Sequence, residues 1–387
     1  MFETSTITIS RSALRRNLAF LRQRLNGARL CSVVKGNAYG HGLDAFIPLA
    51  MEEGVDYFGV YSADEAWHVV EHLRKCPDLF IMGMVEVDGL AWAVEHGVEF
   101  CVHDRHRLEQ AIGEAGRQKR KARIHIEVET GMHRTGFDRT ALGPALDLMR
   151  AHDEHIELVG LFTHFAGAES SSNDQRVTAQ MAHFQQALDR SHLAGLHPTY
   201  AHQACSAAVM NYPHTVGPMA RVGIMQYGFW PNQETWFRYS AVSGVSTDPL
   251  KRLIGWKSRV MAITRVAAGG FIGYGTSSEA AHDMRIAVVP VGYAHGFDRG
   301  LSNLGRVLVH GQQARVAGIV NMNAISVDIT DIPGVEKGDE VVLIGEQGDH
   351  RITVASFSEL SEQLNYELLT RLPRDIPGRS SPEPWPT

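Results

Sequence analysis

The sequence predicts an α/β protein, an N-terminal (β/α)8 TIM-like barrel followed by a mostly antiparallel β C-terminal domain. Two observations carry this. Up to residue 224, eight short apolar runs alternate with amphipathic helical stretches, the pattern of parallel strands joined by crossover helices. Beyond residue 240 the chain becomes a series of short β-rich segments separated by glycine-containing turns, the spacing of an antiparallel domain.

The elements follow in order. Residues 5–10 alternate polar and apolar side chains (Thr6, Ile7, Thr8, Ile9), as a half-buried strand does. A helix begins at Ser10 or Ser12, either of which can cap it, and carries Leu14, Leu18, Leu21 and Leu25 along one face. The eight barrel strands are expected at 31–34, 57–60, 79–84, 98–102, 124–128, 158–163, 199–204 and 220–224, with helices such as 63–74 and 178–193 between them. The later strands are expected at 257–266, 285–291, 306–309, 315–319, 325–329 and 340–344. A final helix at 355–372 precedes a Pro- and Ser-rich tail, 380–387, that reads as disordered. The expected domains are therefore 10–240 and 241–387, the second joined by the N-terminal strand 1–9.

Composition narrows the function. With 387 residues, 44% hydrophobic and 21% charged, the chain is an ordinary globular protein large enough for two domains. A net charge of -6, without a basic block interleaved with aromatics, excludes nucleic-acid binding as an expectation. The cysteines, Cys31, Cys76, Cys101 and Cys205, match no metal or CxxC spacing and read as buried reduced thiols. The N-terminus lacks a basic and then apolar leader, and no apolar run reaches membrane-spanning length. A cytoplasmic enzyme without metal or membrane contact is the expectation.

The chemistry concentrates at strand ends. Lys35 follows a buried strand and opens a glycine-rich loop, Lys35-Gly36-Asn37-Ala38-Tyr39-Gly40. A lysine there is either a solvated charge or an amine whose pKa is lowered for Schiff-base chemistry. Arg221-Val222-Gly223-Ile224 supplies a cation and then a glycine that lets backbone amides approach an anion. Ser206 opens a small-residue run that can start a helix, whose N-terminus favours phosphate. His164 and His202 end two further strands.

These residues, with Thr130-Gly131-Met132-His133-Arg134, Thr163-His164-Phe165-Ala166, Gly273-Tyr274-Gly275, Gly292-Tyr293-Ala294-His295-Gly296, Met322 and Asn365-Tyr366-Glu367, resemble the fold-type III, pyridoxal-phosphate-dependent alanine racemases over nearly the whole chain. The resemblance implies a head-to-tail homodimer with shared sites, acting on a small amino acid. It implies that Lys35 forms a Schiff base with pyridoxal 5'-phosphate and serves as one base, while Tyr274 of the other subunit serves as the base on the opposite face. It implies that Tyr39, Ser206, Gly223, Ile224 and Tyr366 hold the phosphate and that Arg221 faces the pyridine nitrogen. His164 would link Arg221 to Tyr274. Arg134 and the backbone amide of Met322 would take the substrate carboxylate, and Tyr293, Arg299 and Glu169 would line the entrance.

The chain departs from the family pattern at four places. Glu127 stands where many members carry a carbamylated lysine, so a permanent anion is available to pair with Arg134. Cys205 replaces the usual Asn. Asn321-Met322-Asn323 replaces Cys-Met-Asp, with Ile319 in place of an entrance arginine. His295 replaces an Asp. Alanine is the expected substrate. The altered entrance keeps a broader racemase, acting on serine or basic amino acids, as an alternative. A decarboxylase on the same cofactor and a non-catalytic cofactor-binding protein are further rivals.

Overall fold

The computed structural model describes residues 4–73, 75–354, 365–373, 376 and 378–381, without the side chains of 365, 366 and 378–381. The chain forms two compact units, one made of Leu14–Gly36 and Ala50–Lys251, the other of Met1–Ala13, Asn37–Leu49 and the described part of Arg252–Thr387. Its strands are β1 (Ser5–Ser10), β2 (Arg29–Val33), β3 (Tyr57–Val60), β4 (Asp78–Ile81), β5 (Glu99–Val102), β6 (Ala122–Glu127), β7 (Ile156–Phe162), β8 (Tyr200–His202) and β9 (Met219–Val222). Then come β10 (Ile254–Arg259), β11 (Ala262–Val266), β12 (Met284–Val289), β13 (Arg306–Val309), β14 (Gln312–Arg315), β15 (Ile325–Asp328), β16 (Glu340–Gln347), β17 (His350–Ile352) and β18 (Gly378–Ser381).

The first unit is a parallel barrel. Its eight strands run in the order β8-β7-β6-β5-β4-β3-β2-β9. A parallel bridge between Cys205 and Arg221 brings the two ends of that order together. All eight expected strands form; most are apolar runs buried on both faces, while Tyr200 and Ala201 of β8 are half-buried. The crossover helices start and stop on local signals. Ser62 accepts from the Glu65 amide at the head of Ala63–His72, and Gly97 ends Val87–His96 in the left-handed conformation. Ser10 caps Arg11–Leu25 by accepting from the Ala13 amide at 3.3 Å. That helix buries Leu14, Leu18, Leu21 and Leu25, each contributing about 1.5–3 kcal/mol relative to exposure.

The second unit holds two sheets. One has the order β14-β13-β16-β10-β1-β18 with β17 added to β16, and the other has the order β11-β12-β15. The single strand expected at 257–266 is two strands in different sheets. The Val260 amide donates to Asp339 and the Met261 amide donates to Val288, so the chain changes sheets between adjacent residues. The strand expected at 315–319 lies earlier, at Gln312–Arg315, where a hairpin from β13 sets the register. Part of the expected tail is ordered as β18, parallel to β1. The helix expected at 355–372 falls largely outside the described residues, with Asn365–Thr370 its visible part. Cys31 and Cys101 are buried and Cys205 is half-buried, but Cys76 is exposed, contrary to expectation, because it lies in the turn before β4.

Candidate active site

The site begins where β2 ends. The Val34 amide donates to Gly59 at 2.8 Å, continuing the parallel ladder one residue past the strand. Gln226 then clamps this end: its side-chain amide donates to the Val33 carbonyl at 2.9 Å and its oxygen accepts from the Ser32 hydroxyl at 2.7 Å. The Tyr227 hydroxyl donates to the same Val33 carbonyl at 3.1 Å. Lys35 therefore leaves a fixed strand end. From Gly36 to Gly40 all five residues have positive φ, between 50° and 77°, a full turn of left-handed backbone. Ala38 and Tyr39 have no intrinsic preference for this conformation, which costs of order 1–2 kcal/mol per residue. Side chains hold it in place. The buried Glu65 carboxylate accepts from the amides of Gly36 (2.7 Å) and Tyr61 (2.8 Å), and the Asn37 side chain accepts from the Leu43 amide (3.1 Å). At Gly40 any Cβ would fall 1.8 Å from the Leu369 carbonyl oxygen.

The Lys35 amine is held below lysine's usual pKa. Crowding by protein is the main cause, with the cations of Arg134 and Arg221 adding to it and Glu65 opposing. The residue nevertheless stays open to solvent. A nucleophilic amine needs both a neutral fraction and access.

Arg221, on β9, is buried with both terminal nitrogens engaged. It donates to the carbonyls of Thr163 (2.7 Å) and His202 (2.9 Å) and to His202 Nδ1, and it lies 5.0 Å over the Phe162 ring. His164 is half-buried at the end of β7. Burial, then Arg221, Arg134 and Lys35, lower its pKa to about 3, so its ring is neutral at physiological pH. Among the described residues it is His202 rather than His164 that bonds the Arg221 side chain. Ser206 starts the short helix Ser206–Asn211, and its hydroxyl accepts from the Gly223 amide at 3.0 Å, beside Ile224.

Arg134 is exposed on the loop after β6, 3.7 Å from Glu127. Glu127 is nearly buried and also accepts from the Thr135 hydroxyl at 2.7 Å. The loop is ordered by the Glu129 carboxylate, which accepts from the amides of Gly131, His133 (2.7 Å) and Arg134 (3.4 Å). Gln180 supports it from the helix Asp174–Leu193, donating to Thr130 and to the His164 carbonyl. Lys35, His164, Arg221 and Arg134 all lie in the barrel unit, and the three cations each lower the pKa of His164.

In the other unit Tyr39 is buried, whereas Tyr274 is 72% and Met322 56% exposed. Gly273 and Gly275 have φ of 76° and 70°, and this double left-handed turn turns Tyr274 outward. Met322 lies in the turn closed by the Asn321 amide donating to Ala324, and its own carbonyl accepts from Ala294. The side chain of Tyr366 lies outside the described residues.

Residues 9–231 match the description "Alanine racemase, N-terminal domain" and residues 253–379 match "Alanine racemase, C-terminal domain". The chain belongs to the alanine racemase family. Curated relatives of that name include one from Leptospira interrogans, 32% identical over 97% of this chain and 95% of its own. Another, from Symbiobacterium thermophilum, is 34% identical over 95% of this chain and 94% of its own. Among solved structures, the alanine racemase of Clostridium difficile 630 superposes with a TM-score of 0.89 at 26% identity, covering 99% of this chain and 97% of that one. That from Streptomyces coelicolor A3(2) does so with a TM-score of 0.87 at 26% identity, covering 98% of each.

Two departures from the alanine racemase pattern acquire structural content here. His295 Nδ1 accepts from the Gly292 amide at 3.1 Å and so shapes the turn that carries Tyr293. Ile319 is half-buried while Asn323 is exposed. Glu65, Gln226 and Gln180 were not singled out from sequence. Only the Ser62–Glu65 capping spacing hinted at the first, and nothing marked the other two.

Proposed function

We propose that this protein interconverts L- and D-alanine with pyridoxal 5'-phosphate, and the observation that carries the reading is the crowded, solvent-reachable amine of Lys35 in a chain of alanine racemase type over nearly its full length. The residues suit that cofactor. They offer an amine for its aldehyde, a hydroxyl and backbone amides at Ser206, Gly223 and Ile224 for its phosphate, and the buried cation Arg221 for its ring nitrogen. Tyr39 and Tyr366 would complete the phosphate cradle. Bound pyridoxal phosphate supplies the electron sink that acidifies the substrate's Cα–H.

The chain's own groups then have distinct tasks. Lys35 Nζ holds or returns the proton on one side of Cα. Tyr274 of the partner subunit does so on the other, since inversion needs a base on each face. This assigns the enzyme to homodimers, and the exposure of Tyr274 suits a residue that serves another copy. Arg134, steadied by Glu127, and the Met322 amide take the substrate carboxylate. Arg221 disfavours a second positive charge beside it and so moderates the sink, limiting side reactions. Neutral His164 would link to the tyrosine, while Arg221 is held by His202 and Thr163.

The test is the cofactor-loaded enzyme in deuterium oxide with L-alanine, L-serine, L-lysine, L-arginine and L-glutamate. Cα deuterium uptake is read by proton NMR and the D-isomer by chiral chromatography. Exchange and D-product confined to alanine are expected. Comparable turnover of serine or the basic amino acids would assign the broader activity to the entrance changes at Ile319, Asn323 and His295. No exchange with any of them would overturn the racemase reading in favour of a decarboxylase or a cofactor-binding protein.

A further inference from the structure

Behind Arg221 the barrel interior contains a line of polar groups that the proposed chemistry does not use. His202 Nε2 lies 2.9 Å from His125 Nδ1, and His125 Nε2 lies 2.9 Å from Glu99 Oε2. The Tyr57 hydroxyl donates to the same Glu99 oxygen, and Arg123 pairs with Oε1 at 2.7 Å. His125 and His202 are wholly buried and Glu99 is 2% exposed. Phe80 stacks on His125 at 4.1 Å and Phe162 on His202 at 5.0 Å, walling the line from water. Gly160 makes room for it: a Cβ there would fall 2.0 Å from His125 Nδ1.

The ends of the line dictate its protons. Arg221 can only donate, and an ionised Glu99 can only accept. His202 must therefore present a bare Nδ1 to Arg221 and carry its proton on Nε2. That proton is given to His125 Nδ1, so His125 also carries its proton on Nε2 and gives it to Glu99. A second proton on either ring would set two N–H groups against each other at one of the contacts. Proton count and direction are both fixed, and a line fixed in this way passes no proton along.

We infer that Glu99 and His125 are positioning residues for Arg221: through His202 they lock its guanidinium in one orientation, and Glu99 supplies a distant counter-charge to the buried cation. This rests on the proposed role of Arg221 toward the cofactor only for its effect on turnover. The lock itself concerns the chain's own atoms. The titratable and charged groups acting on the two imidazoles from the surrounding strands are Arg221, Glu99, Tyr57 and Arg123. Burial and the nearby cations lower the pKa of both rings, and Glu99 is held ionised because His125, Tyr57 and Arg123 outweigh the cost of burying it.

The experiment is 15N NMR of the holoenzyme labelled at histidine, with the two rings assigned by single His→Gln variants. Both rings are expected as neutral Nε2–H tautomers, unchanged between about pH 6 and 9, on either side of the ordinary histidine pKa. An Nδ1–H tautomer, or a titration of either ring in that range, overturns the lock. In the Glu99→Gln holoenzyme the single tautomer is expected to be lost and kcat to fall about tenfold with KM nearly unchanged, the scale on which outer partners of a functional group act. An unchanged kcat with the tautomer lost overturns the positioning role. If Glu99→Gln does not fold, the wild-type spectrum still decides the lock. Locked rings in a protein that exchanges no Cα proton would overturn the racemase reading and, with it, the role in turnover.

Discussion

The two units place their functional groups in opposite ways. In the barrel unit Arg221 is buried, makes hydrogen bonds to Thr163 and His202, and is backed by further buried polar groups. Lys35 leaves a clamped strand, and Glu127 is bonded by Thr135 near Arg134. In the β unit the interior is apolar, with Ile286, Val289, Val307 and Val327 fully or almost fully buried, while Tyr274 and Met322 stand out on turns. A buried charge keeps its place only through a complete set of partners, because each unsatisfied group costs of order 1–3 kcal/mol. An exposed tyrosine has no such constraint. The difference teaches that the barrel prepares its groups with its own chain, and it suits the proposal that the exposed Tyr274 of the β unit serves another copy.

Mutations sharpen this contrast. Lys35→Ala removes the amine that both anchors the cofactor and moves a proton, so racemisation should fall by at least about 10³-fold and the bound-cofactor absorbance should be lost. Tyr274→Phe should lower kcat by about 10²–10³-fold, the worth of one acid–base group, while the melting temperature stays within about 1 °C, as for a surface change. An equal loss of stability would mean that Tyr274 is a packing residue. Ser206→Ala removes a hydroxyl from the proposed phosphate cradle and should weaken cofactor affinity roughly tenfold in a dialysis titration. Glu127→Gln is the mildest change to the site. A partly exposed pair 3.7 Å apart is worth little, so KM for alanine should rise about two- to fivefold with cofactor affinity unchanged. Equal weakening of both would reject the pairing of Glu127 with the substrate-binding arginine.

Acid should act on both units. Burial lowers the pKa of His41 to about 4, and burial with neighbouring cations lowers that of His164 to about 3, from an ordinary 6.5. Between these values the unfolded chain binds the extra protons, so stability rises with pH through this window and is lost as pH falls from 6.5 toward 3. Thermal melts of wild type should show that slope, and His164→Gln should make it shallower. An unchanged slope would mean that His164 does not share in the acid sensitivity.

Much of this architecture was legible in the sequence. A buried parallel strand announces itself as a short apolar run, and all eight expected strands formed, though β8 (Tyr200-Ala201-His202) and β9 (Met219-Ala220-Arg221-Val222) carry little β-branched character. The leucine face of Arg11–Leu25 was equally plain. The sheet change at Val260–Met261 was not, because no glycine or proline marks it. The left-handed turn was half visible: Gly36 and Gly40 suggest it, while Ala38 and Tyr39 adopt it in a segment whose ends Glu65 and Asn37 help to hold. The partners of Arg221 were hidden for a further reason. Glu99, His125 and His202 lie on β5, β6 and β8 of the sheet, and barrel closure brings β9 with Arg221 beside them. Single histidines in strands carry no signal of the ring they will meet.

The most direct measurement mixes two inactive variants, Lys35→Ala and Tyr274→Phe, under conditions that exchange subunits, and follows D-alanine formation. If each site takes its lysine from one chain and its tyrosine from the other, half of the dimers are hybrids with one intact site each, and about a quarter of wild-type activity returns. Activity no greater than the sum of the two variants alone would contradict the shared site and confine both bases to a single chain.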